Sequence, residues 1–239
     1  MSLESNIAEL VQASNALTGT VNGKIADIDR RVATKVAELE SWRNQARAEF
    51  PVLRMTRNQF GNVLDNALVG WGVDVGTTVT VSVRRDIVSG AVWSARDEEE
   101  KKILTLIGMA GEQYFQPMIR ILKVTWKKNP GASNVLLPFQ VLPMRTGHTV
   151  ASYARILRGS VSGYYLQGVG PDWGLCGEYV ARGRPGAYAH CHPYCLSDEG
   201  EVELIWPAAV AGYFPLNKEE PNWGWFDHRA SQGNFDISI

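Results

Sequence analysis

Leu3, Ile7, Leu10, Ser14, Leu17, Val21, Ile25, Ile28, Val32, Val36 and Leu39 follow one another at steps of three and four residues, the period of an α-helix. The positions between them are mostly Glu, Asn, Gln, Asp, Lys, Arg and Thr. A stripe this narrow on so polar a helix suits the seam of a coiled coil better than a helix lying on a broad core. Up to Val21 the spacing is heptad-like. From Leu17 it becomes an eleven-residue repeat, with Leu17, Ile28 and Leu39, Val21 and Val32, and Ile25 and Val36 as equivalent positions. Such a repeat runs near 3.67 residues per turn and removes the left-handed supercoil. The pattern therefore predicts a nearly straight parallel bundle, roughly 60 Å long if residues 3–42 form one helix. Gly19 and Gly23 each cost about 1 kcal/mol against alanine in a helix interior. Two helices joined by a turn there are the alternative, but the phase carried from Leu17 to Ile28 favours one helix, frayed or bent.

Beyond Phe50-Pro51 the pattern changes from helical to short and alternating, which sets a boundary between residues 1–49 and 50–239. Thr77 to Val83 alternates β-branched residues and predicts a strand. Asp97 to Glu100, followed by Lys101, Lys102, Ile103, Leu104 and Ile107, reads as an acidic first turn and an amphipathic helix. Met118 to Trp126 is the clearest strand, with Lys127 to Gly131 as the turn after it. Shorter candidates are 135–142, 153–157, 160–167, 177–181, 187–191 and 201–206, and Asp198-Glu199-Gly200 reads as a hairpin turn. The expected fold is α+β and mainly β: a compact β-sandwich or barrel-like head with one or two short helices, divisible near residue 130.

Composition narrows the function. The net charge is −1, from 24 basic and 25 acidic residues, and no basic stripe offers the clustered cations that phosphate binding requires. Nucleic acid is not an expected partner. No apolar run approaches the roughly 20 residues of a membrane span, and the start of the chain does not read as a signal peptide. Three cysteines, Cys176, Cys191 and Cys195, are too few for a disulfide framework, which suits synthesis in a reducing cytoplasm. There is no Gly-X-Ser-X-Gly, Walker loop or Gly-X-Gly-X-X-Gly. Glu178, Asp198, Glu199, Glu201 and Glu203 offer carboxylates for a glycosidase pair, which only their separation in space would establish. No catalytic residue is assigned, and the protein is expected not to be an enzyme.

A slender N-terminal coiled coil leading into a Gly- and Trp-rich β head resembles the layout of trimeric tail-fibre, receptor-binding and tail-tip proteins of tailed bacteriophages. Residues Ala8 to Leu17 and their continuation to Trp42, and Trp206 to Pro215, carry the local likeness. The chain departs from that class in having no triple β-helix repeat, no chaperone tail and no long shaft. The resemblance implies a homotrimer on the virion tail, made in the host bacterial cytoplasm. It would attach to tail or baseplate proteins through its helices and bind a host cell-surface glycan or protein appendage through its head. A structural connector and a surface-glycan hydrolase are the alternatives.

Ala189 to Cys195 (AHCHPYC) is the sharpest chemical signal. If it is extended, His190 and His192 share one face and Cys191 takes the other. Near a threefold axis the pair would present six imidazoles to a transition metal, a device that resembles sites in some phage fibre tips. Cys191, Cys195, a histidine and Cys176 offer a tetrahedral zinc alternative. Buried, metal-free packing is the simplest reading, because free cysteine is among the most buried residue types. Aromatics crowd the last third of the chain, and flat rings with one polar edge suit a sugar or a protein partner. Trp173, Trp223 and Trp225 are the candidates for receptor binding, with Arg184 and Asp227 as polar partners.

Overall fold

The apolar stripe of the N-terminus lies on a single helix, α1 (Leu3–Glu49), unbroken at Gly19 and Gly23. The Ser2 hydroxyl accepts from the Ser5 amide, and Glu4 sits in the first turn, where the partial positive charge of the helix end favours an acid. This computed structural model describes residues 2–49, 52–116, 118–133, 135–143, 146–184, 186–219 and 221–226. The chain separates into two units, Met1–Pro51 and Val52–Ile239.

The second unit is mainly β. In chain order it comprises β1 (Val63–Leu64), β2 (Ala67–Leu68), β3 (Thr77–Ile87), α2 (Glu98–Leu106), β4 (Ile119–Lys128), β5 (Gln140–Pro143), β6 (His148–Arg158), β7 (Val161–Ser162), β8 (Gly174–Val180), β9 (Tyr188–Cys191), β10 (Tyr194–Cys195) and β11 (Glu199–Ala211). Five of these form an antiparallel sheet in the order β3-β4-β11-β6-β8. The sheet runs across residue 130, since strands on both sides of it are neighbours in one ladder.

Both faces of this sheet are apolar, for different reasons. One carries Val81, Leu122, Val124, Trp126, Val202, Leu204 and Ala154. Its cover is three two-stranded pieces, β1-β2, β5-β9 and β7-β10, which supply Leu68, Leu142, Val161, Cys191 and Cys195. Here the structure differs from the expected sandwich: the second layer is fragments, because Pro138, Pro143 and Pro193 cannot donate to a ladder. Gly200 stands opposite Trp126, and a Cβ there would overlap the indole. The opposite face carries Ile119, Ile121, Tyr153, Leu175 and Ile205, covered by Ile103, Leu104 and Ile107 of α2 with its flank and by Trp173, Trp223 and Phe226.

The acidic first turn of α2 is Glu98 to Glu100, and Asp97, expected within it, is the N-cap: its carboxylate accepts from the Glu100 amide at 2.9 Å. The turn expected at Asp198 to Gly200 is absent. Glu199 and Gly200 already pair with Lys127 and Trp126 in β11, while β10 pairs with β7. Strand β11 is itself interrupted by an irregularity between Ile205 and Ala208. Pro207 has no N–H to give, and Trp206 adopts φ 54, so the ladder steps around both.

Candidate functional site

The largest unpartnered feature of the single chain is the stripe on α1. Leu3, Ile7, Leu10, Leu17, Val21, Ile25, Ile28, Val32, Val36 and Leu39 are all exposed, from 47% at Val21 to 76% at Leu3. Exposed pairs on this helix, such as Arg30–Asp27 at 2.8 Å and Lys35–Glu38 at 2.5 Å, are each worth a few tenths of a kcal/mol. The stripe is an apolar face of ten large residues that the single chain leaves exposed.

The tryptophans selected for recognition are placed otherwise. Trp173 is buried, with the Arg155 guanidinium 5.1 Å over its ring. Trp223 is 1% exposed. Its indole N–H donates to the Trp206 carbonyl, its own carbonyl accepts from the Tyr153 hydroxyl, and it meets Phe214 and Phe226 edge-on. Neither offers a face to a receptor in this chain, which corrects the expectation for both. Trp225 is half-buried, edge-on to Phe60, with the Arg54 guanidinium 5.2 Å over its ring. Arg184 is exposed between β8 and β9. Asp227 lies outside the described residues. Among the described residues, the exposed aromatics of the head are tyrosines: Tyr179 and Tyr213 as a T-shaped pair at 5.4 Å, with Tyr114, Tyr188 and Tyr194.

His190 is the third residue of β9, paired with Val141, and its side chain lies outside the described residues. His192 falls beyond the strand and is 5% exposed. Its ring is boxed by Tyr164 at 5.0 Å, Tyr194 at 4.7 Å and Phe139 at 6.4 Å. The β9 ladder ends at Cys191, and Pro193, which has no N–H, cannot extend it. Burial pushes the Cys176 thiol up to about 11 and the Cys195 thiol up to about 12, and raises Cys191 as well. Thiols held protonated are poor metal ligands. Among the described residues, no group of three or more His, Cys, Asp or Glu could hold a metal ion.

Each of the carboxylates weighed for catalysis has a cation or a backbone amide beside it, from the buried Glu203 to the exposed Asp198. The bulge between Val83 and Arg85 sets Arg84 and Arg85 beside α2, the re-aiming that a bulge performs. Arg84 holds both oxygens of Glu99 at 2.9 Å and lies 2.7 Å from Glu203. Arg155 bridges the same two acids at 2.9 and 2.7 Å. Arg85 reaches Asp97 at 2.5 Å and Glu100 at 2.7 Å. Burial raises the Glu99 carboxyl, but hydrogen bonding by Arg84 and the charges of Arg84, Arg155 and Arg85 outweigh it and hold the group below its ordinary value. Glu201 pairs with Lys123 at 2.7 Å, Glu199 with Arg158, and Asp198 with Lys128 at 3.7 Å. The Glu178 carboxylate accepts from the Tyr164 amide. This set clamps α2 to the sheet and zips neighbouring strands.

At one end of the sheet two clefts of about 370 and 470 Å³ share Lys128 as a wall; a third, of about 340 Å³, lies between Met55, Arg57, Gly70 and the 139–142 segment. The turn from Lys127 to Ala132 and Asp198 line the first, while Ser162, Gly163, Tyr194 and Leu196 line the second. The sequence marked the Lys-Lys-Asn-Pro-Gly turn and Tyr194 separately, and no local pattern joined them. Comparison of the chain with protein-family models, with curated proteins and with solved structures finds no match.

Proposed function

We propose that this chain is a homotrimeric tail-fibre or receptor-binding protein of a tailed bacteriophage, held together and attached to the tail through its N-terminal helices and binding a host surface structure through its head. The observation that carries the reading is the exposed stripe on a 47-residue helix. Its residue types support three strands over the second half. Ile7 and Val21 alternate with Leu3, Leu10 and Leu17 in the manner of two-stranded coils. Val21, Ile25, Ile28, Val32 and Val36 are β-branched in succession, which shifts the preference to three or more strands. Three heads on one axis convert weak single-site contacts into avidity, up to 10²- to 10⁴-fold when geometry permits.

The mechanism is binding without turnover. The five acids weighed for a hydrolase are each engaged by a cation or a backbone amide, which gives the hydrolase reading no support. Burial of Trp173 and Trp223 favours a second reading, a tail-tip or baseplate connector, because it removes two of the three tryptophans chosen for a receptor. The test is to add the purified full-length protein to susceptible cells before phage. A receptor binder attaches and blocks adsorption; a connector does neither.

A further inference from the structure

The head is built with two unlike ends. The chain enters at one of them: the Ala211 amide donates to the Leu53 carbonyl at 2.8 Å, and Arg54 bridges to Val210. The opposite end of β11 is Glu199, thirteen residues along the strand, roughly 40 Å away at 3.3 Å per residue. The two clefts that share Lys128 open at that far end. Their volumes lie within the range of small-molecule sites.

The walls at this end are matched to hydroxyl groups. Lys128 has a largely buried stem, its backbone amide donates to the Asp198 carbonyl at 2.7 Å, and its ammonium stands 3.7 Å from the Asp198 carboxylate. That carboxylate is 96% exposed, so it accepts hydrogen bonds from outside while the neighbouring ammonium donates them. Across Lys128 is Tyr194, 41% exposed. Its ring orientation is fixed by edge-to-face packing with His192 at 4.7 Å. The Ser162 hydroxyl borders the same cleft, held by Gln167 at 3.1 Å. A flat ring of fixed orientation on one side of Lys128 and a carboxylate on the other together complement a saccharide chain. One sugar's C–H face lies on the Tyr194 ring in its cleft, and adjacent hydroxyls of the next sugar, across Lys128, donate to Asp198 and accept from the Lys128 ammonium.

We propose that the two adjoining clefts divided by Lys128, one lined by Asp198 and the other by Tyr194, at the end of the sheet far from where the chain enters the head, are the receptor site, and that they take a glycan of more than one sugar presenting vicinal hydroxyls. This rests on the receptor-binding reading above. Neither cleft, each with a mixed polar and apolar lining, is a deep apolar pocket of the kind in which the anchors of a protein appendage sit.

The test uses fluorescently labelled full-length protein on a panel of bacterial strains. Binding cells are treated with periodate, which cleaves vicinal diols, or with a broad protease. Three variants run in parallel: Tyr194→Ala and Asp198→Ala in the clefts, and Tyr213→Ala at the opposite end, each checked for an unchanged melting curve. The expected result is binding lost after periodate and kept after protease, with both cleft variants weakened at least 10-fold and Tyr213→Ala unchanged. Binding that survives periodate and falls to protease overturns the glycan assignment and leaves the receptor reading standing. Full binding by both cleft variants overturns the site. Failure of the wild type to bind any strain overturns the receptor reading itself.

Discussion

Ile28→Asp is expected to convert the trimer to monomer at neutral pH. Ile28 keeps 58% of its surface exposed in the single chain, so a bundle still has that share of an isoleucine to bury. Burying such a side chain fully is worth about 1.5–3 kcal/mol, which leaves about 1–2 kcal/mol per chain and roughly 3–5 kcal/mol per trimer. The substitution also sets three carboxylates in one layer. Two unit charges about 6 Å apart at an effective dielectric of about 20 repel by about 3 kcal/mol, and the layer contains three such pairs. The aspartates escape by taking up protons, so their pKa in the bundle lies above that in the separated chain. Assembly is then weakest at neutral pH and recovers as pH falls toward 4, the direction opposite to the usual acid loss of stability. Sedimentation velocity at pH 7.5 and pH 4.5 reads both effects, with a circular dichroism melt to follow the helix. Reassembly at the lower pH separates charge from simple loss of apolar area. A variant that sediments as the wild-type trimer at pH 7.5, with an unchanged melt, refutes the placing of Ile28 in a seam.

Glu203→Ala removes one of the two carboxylates that Arg84 and Arg155 share and leaves them Glu99; about 1.5–3 kcal/mol of head stability should be lost in urea titration, and a loss under 1 kcal/mol contradicts the clamp. Glu99 is held below its ordinary value of 4.5, so its contribution is complete above that pH and is lost as pH falls through the lowered value. Glu99→Gln should therefore flatten the stability–pH slope below pH 4.5, and an unchanged slope counts against the arginine network. The three thiols should resist a disulfide exchange reagent at pH 8 in the native protein and react fully in guanidinium; fast native reaction of any one contradicts its burial. Gly23, with open space where a Cβ would stand, should gain about 1 kcal/mol of helix stability as Gly23→Ala, read as a higher midpoint for the helical signal; a lower midpoint would mean that a neighbouring helix packs on Gly23.

The helix and the main strands were legible because their signal is local. The stripe on α1, the β-branched alternation of β3 and the acidic start of α2 each lie within one element. Burial of the tryptophans was not legible, because it is decided far along the chain. Gln59 donates to the Gly224 carbonyl and accepts from the Phe226 amide, fixing the segment that seats Trp223 across more than 160 residues. Nothing in Trp-Gly-Trp-Phe reports a glutamine that distant. The bulge that sets Arg84 and Arg85 beside α2, and the meeting of Lys128 with Asp198 and Tyr194, likewise arise from strand register, to which periodicity is blind.

Native mass spectrometry of the full-length protein, with and without chelator, addresses the trimeric assembly most directly. The expected species has three times the 26.4 kDa mass of the chain, unchanged by chelator if His192 is only packed among its aromatic neighbours. One metal per trimer, removed by chelator, would restore the axial role for His190 and His192. A monomer across the micromolar range would contradict the seam on α1 and, with it, the fibre.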